Sequence, residues 1–168
     1  MVGTQPGKDE RLALAEGASS DGAAVGRARI SICREVNGHL VVAGQVAQRD
    51  GVLIAEGRVG DGVDLDTARA CARQCAVNLL RAAQTHLGSL ERVRSVLRLA
   101  VYVASAPDFV AQHLVADAAS ALVADVVGGE LPVRVAIGVA ALPLGSPVEI
   151  EGALELDHAE SPQVQARA

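Results

Sequence analysis

The chain has 168 residues, half of them hydrophobic, and a formal net charge of −5; Tyr102 and Phe109 are its only Tyr, Phe or Trp residues. That is one domain by length, with a core that must be filled by Val, Leu, Ile and Ala. An acidic chain whose single lysine is Lys8, with no basic run and no bilayer-length apolar run, is a poor candidate for nucleic-acid or membrane binding.

Residues 1–26 read as a partly flexible N-terminal extension with one short helix at "DERLALAE", without the basic-then-apolar layout of a secretory signal. With three cysteines, an odd count better suited to reduced thiols than to a disulfide framework, a cytoplasmic location is expected. "ARISICREV" and "GHLVVAGQVAQ" follow as two strands, and Asn37-Gly38 between them signals a tight hairpin. After the loop "GDGVD", Asp64 or Asp66 can cap the next helix. That helix, "TARACARQCAVNLLRAAQTHL", lines up Ala68, Ala72, Cys75, Leu79, Ala83 and Leu87, and stops at Gly88.

"RVRSVLRLAVYVAS" returns to a period of two, with Val93, Leu97, Leu99, Val101 and Val103 on one face and Arg94, Arg98 and Tyr102 on the other. A second long helix is expected over 108–127, with Val115, Ala119, Leu122 and Val126 inward and Gly128-Gly129 as its end. "PVRVAIGVAALPLGSPVEIEGAL", from Pro132 to Leu154, reads as a closing hairpin. Residues 27–156 then form the domain and 157–168 a flexible polar tail.

The order β-β-α-β-α-β-β favours an α+β fold, one mixed sheet with two helices on one side. In the closing hairpin the expectation is that Val133, Val135, Ile137 and Val139 face the helices, with Val148, Ile150 and Leu154. The other face would carry Arg134, Ala136, Gly138 and Ala140 beside Glu149, Glu151, Ala153 and Glu155. Such a face suits a contact between identical subunits.

Isolated residues carry less. Cys71 and Cys75 are spaced four apart on a helix but lack a His or Cys partner, so a core role is favoured over a metal. His39, His86, His113 and His158 are scattered without ligand spacing. "GDGVDL" is not a calcium loop, and "GRVGDG" lacks the strand-to-helix context of a dinucleotide site. No metal and no organic cofactor are expected. From pattern alone, Arg134 is better read as an ion-pair partner for Glu149, Glu151 or Glu155 than as a ligand clamp.

"VVAGQV" at Val41–Val46, "APDF" at Ala106–Phe109 and the stretch from Pro132 to Leu154 together resemble the Rid (reactive intermediate deaminase) family, also called YjgF. The resemblance covers about Val36 to Leu156 and is closest to a longer-chain branch. It implies a chorismate-mutase-like fold and a homotrimer with pockets between subunits. It further implies hydrolysis of small carboxylate-bearing enamines or imines to a 2-keto acid and ammonia. By motif position, Arg134 would hold the substrate carboxylate and Glu149 the attacking water. Gly44 and Gln45 lie in the segment that offers hydrogen bonds to substrate.

The resemblance also places Ala136 and Asp117 among the substrate-binding residues, and there the chain departs from the family pattern. Ala136 stands where Cys is frequent, Asp117 where Asn is usual, and a pocket-lining N-terminal tyrosine has no counterpart, Tyr102 being the only tyrosine. The chemistry is sensible, because a guanidinium can grip a carboxylate bidentately and a protonated imine needs little beyond positioning and one proton acceptor. This reading rests on Arg134 being left unpaired by its own protein, and it fails if a fixed internal anion already neutralises the guanidinium with no room beside it. Two alternatives share the fold: a trimer that binds a metabolite without turnover, and an enzyme with a dedicated substrate in a specialised biosynthetic pathway. RNA cleavage, ascribed to some family members, fits the acidic balance poorly.

Overall fold

The computed structural model describes residues 6–16 and 30–157. The expected tail beyond Asp157 and much of the expected N-terminal extension lie outside these residues. Helix α1 (Lys8–Glu16) is followed by β1 (Cys33–Val36) and β2 (His39–Val46), which pair antiparallel. Asn37 and Gly38 join them with φ of 49° and 77°, the left-handed pair of a two-residue primed turn. Two minor pairs come next: β3 (Gln48–Arg49) with β4 (Val52–Leu53), then β5 (Arg58–Val59) with β6 (Gly62–Val63).

Helix α2 (Leu65–Leu87) is capped by Asp64, whose Oδ1 accepts the Thr67 N–H at 2.7 Å, and it ends at Gly88 in the left-handed region. The expected stripe is buried: Ala68, Ala72, Cys75, Leu79 and Ala83 are all fully covered. Strand β7 (Val93–Ala104), helix α3 (Gln112–Val127), strand β8 (Val133–Val139) and strand β9 (Val148–Leu156) complete the chain.

The main sheet has five strands in the order β1-β2-β9-β7-β8, with the helices on one side. The α+β expectation holds, and among the described residues the two long helices are joined by α1, the short helix expected at "DERLALAE". Helix α1 is held against the other two: Leu12 is buried, Arg11 Nε donates to the Val126 carbonyl at 2.8 Å, and Arg81 pairs with Glu16. The second long helix begins at Gln112, not Asp108, because Ala106–Phe109 first makes a turn in which the Phe109 N–H reaches the Ala106 carbonyl.

The closing stretch is not a hairpin. β8 runs parallel to β7 on the sheet's edge, while β9 lies antiparallel between β7 and β2. β7 therefore separates the two strands. The parallel register sets Leu99 beside Arg134 and Val101 beside Ala136, and Leu99 and Val101 are core residues under the helices. The expected faces of β8 are thus exchanged. Arg134, Ala136 and Gly138 share the helix side, and Val133, Val135, Ile137 and Val139 share the open face. For β9 the expectation stands, with Val148, Ile150 and Leu154 inward and Glu149, Glu151 and Glu155 outward.

β7 holds a second correction. Register shifts against β9 between Val93 and Ser95 and between Val96 and Arg98 place Val96 inward and leave Leu97 exposed. Each bulge adds a residue and resets the alternation.

Gly152 lies at the middle of β9, where α2 comes down closest. A Cβ there would meet the Arg98 carbonyl oxygen at 3.0 Å and methyl groups of Leu79 and Leu99 at 3.1 Å. Gly152→Val is therefore expected to destabilise the fold by about 1–3 kcal/mol. Urea denaturation of the two proteins, compared at constant slope, checks this.

Candidate functional site

Six residues were expected to form a site, and the fold distributes them over two faces. Arg134, Asp117 and Ala136 gather on the helix side, where β8 runs under α3. Gly44 and Glu149 meet on the open face. Gln45 joins neither group: its Nε2 turns back to donate to the Ala43 carbonyl at 3.0 Å.

On the helix side, His113, Asp117 and Ser120 form one stripe of α3, at spacings of four and three. The Arg134 guanidinium lies against that stripe. Its Nη1 donates to Asp117 Oδ1 at 2.9 Å and to Ser120 Oγ at 3.1 Å, and its Nη2 reaches the His113 carbonyl at 3.4 Å. Asp117 is not the kind of partner expected, which was a glutamate of the last strand or none. A strand-β9 glutamate cannot serve within one chain, because those carboxylates project from the opposite face.

The guanidinium is therefore already half satisfied, yet the pairing is incomplete. Arg134 Nε finds no acceptor among the described residues, and Nη2 has only its long contact. The arginine side chain is 21% exposed and that of Asp117 55%, so the carboxylate sits at the rim with solvent beyond it. Ser120 is 8% exposed and supports the guanidinium from below. Ser120 escaped the sequence reading. The signal for it was present, as a polar residue three positions after Asp117 and therefore on the same side of the helix.

Small residues keep this side of β8 low. Beyond Arg134 come Ala136 and then Gly138, where a Cβ would lie 2.8 Å from Gln112 Nε2. Gln112 is itself fixed, donating to the Phe109 carbonyl at 2.7 Å. The result is a shelf at the sheet's edge, with Arg134 at one end and Gln112 at the other.

The open face has a different character. Exposed apolar side chains from two strands share it: Val41 of β2 at 50%, and Val133 and Ile137 of β8 at 69% and 45% exposure. Glu155 accepts from Ser95 Oγ at 2.9 Å and lies 3.7 Å from Arg94. Glu151 accepts from Tyr102 Oη at 3.1 Å and lies 3.9 Å from Arg98.

Glu149 has neither a hydrogen bond nor a cation among the described residues. Partial burial pushes its carboxyl above the ordinary glutamate range, and the neighbouring charge of Glu151 adds to the effect. Strand β2 makes room for it. The β2–β9 register slips between Val42 and Gln45, and Gly44 in that irregular segment lies directly against the carboxyl group. A Cβ at residue 44 would come within 2.9 Å of the Glu149 carboxyl carbon. Gly44 is required there as space.

The cysteines stand apart from both groups. Cys71 and Cys75 are free and fully buried, and burial raises the Cys71 thiol to about 11. Cys75 Sγ donates to the Val148 carbonyl at 3.3 Å. Both are core residues, the role favoured for them in the sequence. No helix among the described residues is long and apolar enough to cross a membrane.

With this geometry established, comparison with known proteins is direct. The family model described as endoribonuclease L-PSP, which is that of the YjgF/Rid proteins, matches residues 24–155. The chain belongs to this family. Within the Rid/YjgF family, it is 38% identical over 121 residues to protein TCP17 of Trypanosoma cruzi, covering 71% of this chain and 76% of that one. The crystal structure of Atu1372 from Agrobacterium tumefaciens, a protein of unknown function, shares 35% identity at a TM-score of 0.80. That match covers 89% of this chain and 92% of the other. E. coli TdcF, solved with bound serine, shares the fold at 17% identity and a TM-score of 0.53, over 81% and 93% of the two chains. The motif resemblance in the sequence and these similarities agree on the family.

Proposed function

We propose that this Rid-family protein hydrolyses a small carboxylate-bearing enamine or imine to a 2-keto acid and ammonia, in pockets formed between the chains of a homotrimer. The observation that carries the reading is Glu149: an unpaired, half-buried carboxylate whose proton affinity is raised, with space cleared for it by Gly44. Such a group takes up a proton more readily than an ordinary carboxylate, which is what a general base requires.

Arg134 supplies the complementary charge. Because it leaves the opposite face of the sheet, one chain cannot direct both groups at the same small molecule. Two chains can, if the β8 edge of one approaches the open face of the next. The exposed valines and Ile137 on that face favour such an approach, since burying them is stabilising at roughly 25 cal/mol per Å². The serine bound to TdcF is a molecule of the same size and carries a carboxylate.

In the proposed reaction an enamine is first protonated at carbon to give the iminium ion. Arg134 holds the carboxylate, and Glu149 of a neighbouring copy removes a proton from water as its oxygen bonds to the iminium carbon. The proton then passes to nitrogen, the C–N bond breaks and ammonia leaves, and the hydroxyl left on the carbon gives up its proton to solvent as the carbonyl forms. Hydrolysis of this kind needs positioning and one base. RNA cleavage is not favoured, because the open face presents three glutamates, and the Arg94 and Arg98 beside them are paired with Glu155 and Glu151.

The test is ammonia release from 2-aminoacrylate generated in situ, with the full chain added at micromolar concentration. The expected result is a rate well above the uncatalysed one and proportional to protein. Release at the background rate, together with saturable binding of a small carboxylate, would instead support the non-catalytic metabolite-binding trimer.

A further inference from the structure

We infer that Asp117 makes the Arg134 site selective for a zwitterion, a ligand bearing a cationic nitrogen beside its carboxylate, over a simple anion of the same size. The inference rests on the reading of Arg134 as the carboxylate clamp and specifies what that clamp accepts.

Charge balance is the starting point. Asp117 Oδ1 is 2.9 Å from Arg134 Nη1, so the guanidinium is already neutralised by its own chain. An arriving carboxylate has the Nε–H and the remaining Nη2–H to bind, since the one partner on that edge among the described residues is the His113 carbonyl at 3.4 Å. Docking there leaves two carboxylates on one guanidinium, a site with one surplus negative charge. Like charges at such separation disfavour binding. A cationic nitrogen on the same ligand removes the surplus, and Asp117 is placed to receive it. Only its Oδ1 is engaged, and more than half of its side chain is exposed.

The alternative, that a ligand anion displaces Asp117, meets a penalty of its own. It must break a charge-assisted hydrogen bond before making one. In either case the bare anion binds more weakly than the zwitterion.

This bears on turnover. A protonated imine beside a carboxylate is a zwitterion, whereas the 2-keto acid left after ammonia departs is an anion. The same carboxylate that welcomes the substrate's N–H would therefore weaken the hold on the product.

The pair L-alanine and pyruvate tests the idea, since they differ chiefly by an ammonium group in place of a carbonyl oxygen. Both are titrated into the full-length protein by calorimetry, alongside Asp117→Asn, Asp117→Ser and Arg134→Ala. Wild type is expected to bind alanine about tenfold or more tighter than pyruvate, a factor in keeping with one charge-assisted contact. Asp117→Asn is expected to reverse the order, with pyruvate gaining affinity and alanine losing it. Asp117→Ser, if Asn perturbs packing, should give the same reversal.

A merely structural role for Asp117 would shift both ligands together and leave their ratio unchanged. That result, or tighter pyruvate binding to wild type, overturns the inference while leaving the clamp intact. Loss of both ligands in Arg134→Ala keeps the clamp reading. Binding unaffected by Arg134→Ala, or no binding of either ligand to wild type, overturns the clamp and the inference together.

Discussion

Arg134→Ala lowers the rate of 2-aminoacrylate hydrolysis at subsaturating substrate by about 10- to 100-fold, the expected loss when charge-assisted hydrogen bonds to a carboxylate disappear. The effect belongs mainly in KM if the clamp holds substrate and transition state equally, and in kcat if it aligns the carbon for water. Stability should change little by comparison. The Asp117 carboxylate left behind is more than half exposed and can be hydrated, and Ser120 can turn its hydroxyl elsewhere. Steady-state kinetics paired with thermal unfolding separates the two effects. A variant as active as wild type removes Arg134 from the reaction.

Glu149→Gln gives the opposite pairing of losses and gains. Hydrolysis falls by about 10²- to 10³-fold, the range for deleting a positioned general base. Folding stability at neutral pH does not fall, and the sign follows from proton linkage. Burial first, and the charge of Glu151 second, raise the folded-state pKa of Glu149 above its ordinary value of 4.5. Between the ordinary and the raised value, the folded state binds more protons than the unfolded one. The carboxyl's favourable contribution is thus present in full below pH 4.5 and is lost as pH rises through the raised pKa.

Above the raised value the wild-type chain holds an ionised group in a site that disfavours it, and glutamine relieves this. Thermal midpoints of the two proteins, recorded from pH 4 to pH 8, should show the variant at least as stable at the upper end. Its advantage should shrink as the pH falls. A variant that is both less stable and inactive at pH 7 would mean that the carboxylate holds the structure together. Gain of stability on removal of a working group is the general signature of a site held in readiness at some cost to the fold.

Much of the molecule was legible before any coordinates. Helix α2 announced itself through a six-residue stripe, an aspartate at its start and Gly88 at its end, because all three signals are local. The Asn37-Gly38 turn was legible for the same reason. The glutamates of β9 fell on the open face as expected, since a strand whose alternate residues are Val, Ile and Leu has one way to face a core. The family, too, could be read from motif spacing.

What failed were statements about partners. The faces of β8 were exchanged because the strand was read as an apolar element seeking the core, whereas its valines and Ile137 line the open face. The bulges of β7 moved Val96 inward and Leu97 outward, and a bulge is decided by the partner strand as much as by the bulged one. Arg134 was expected without an anion from its own chain, and it has Asp117.

The linear order of residues thus settled periods, caps, turns and kinship, all of which depend on neighbours within a few positions or on motif spacing. Which side of the sheet an edge strand turns to the helices, and which carboxylate meets which guanidinium, were decided only when β7 came between β8 and β9. Parallel pairing locks a strand's parity to that of its neighbour, so a register chosen far away in the chain assigned Arg134 to the helix side and Glu149 to the other.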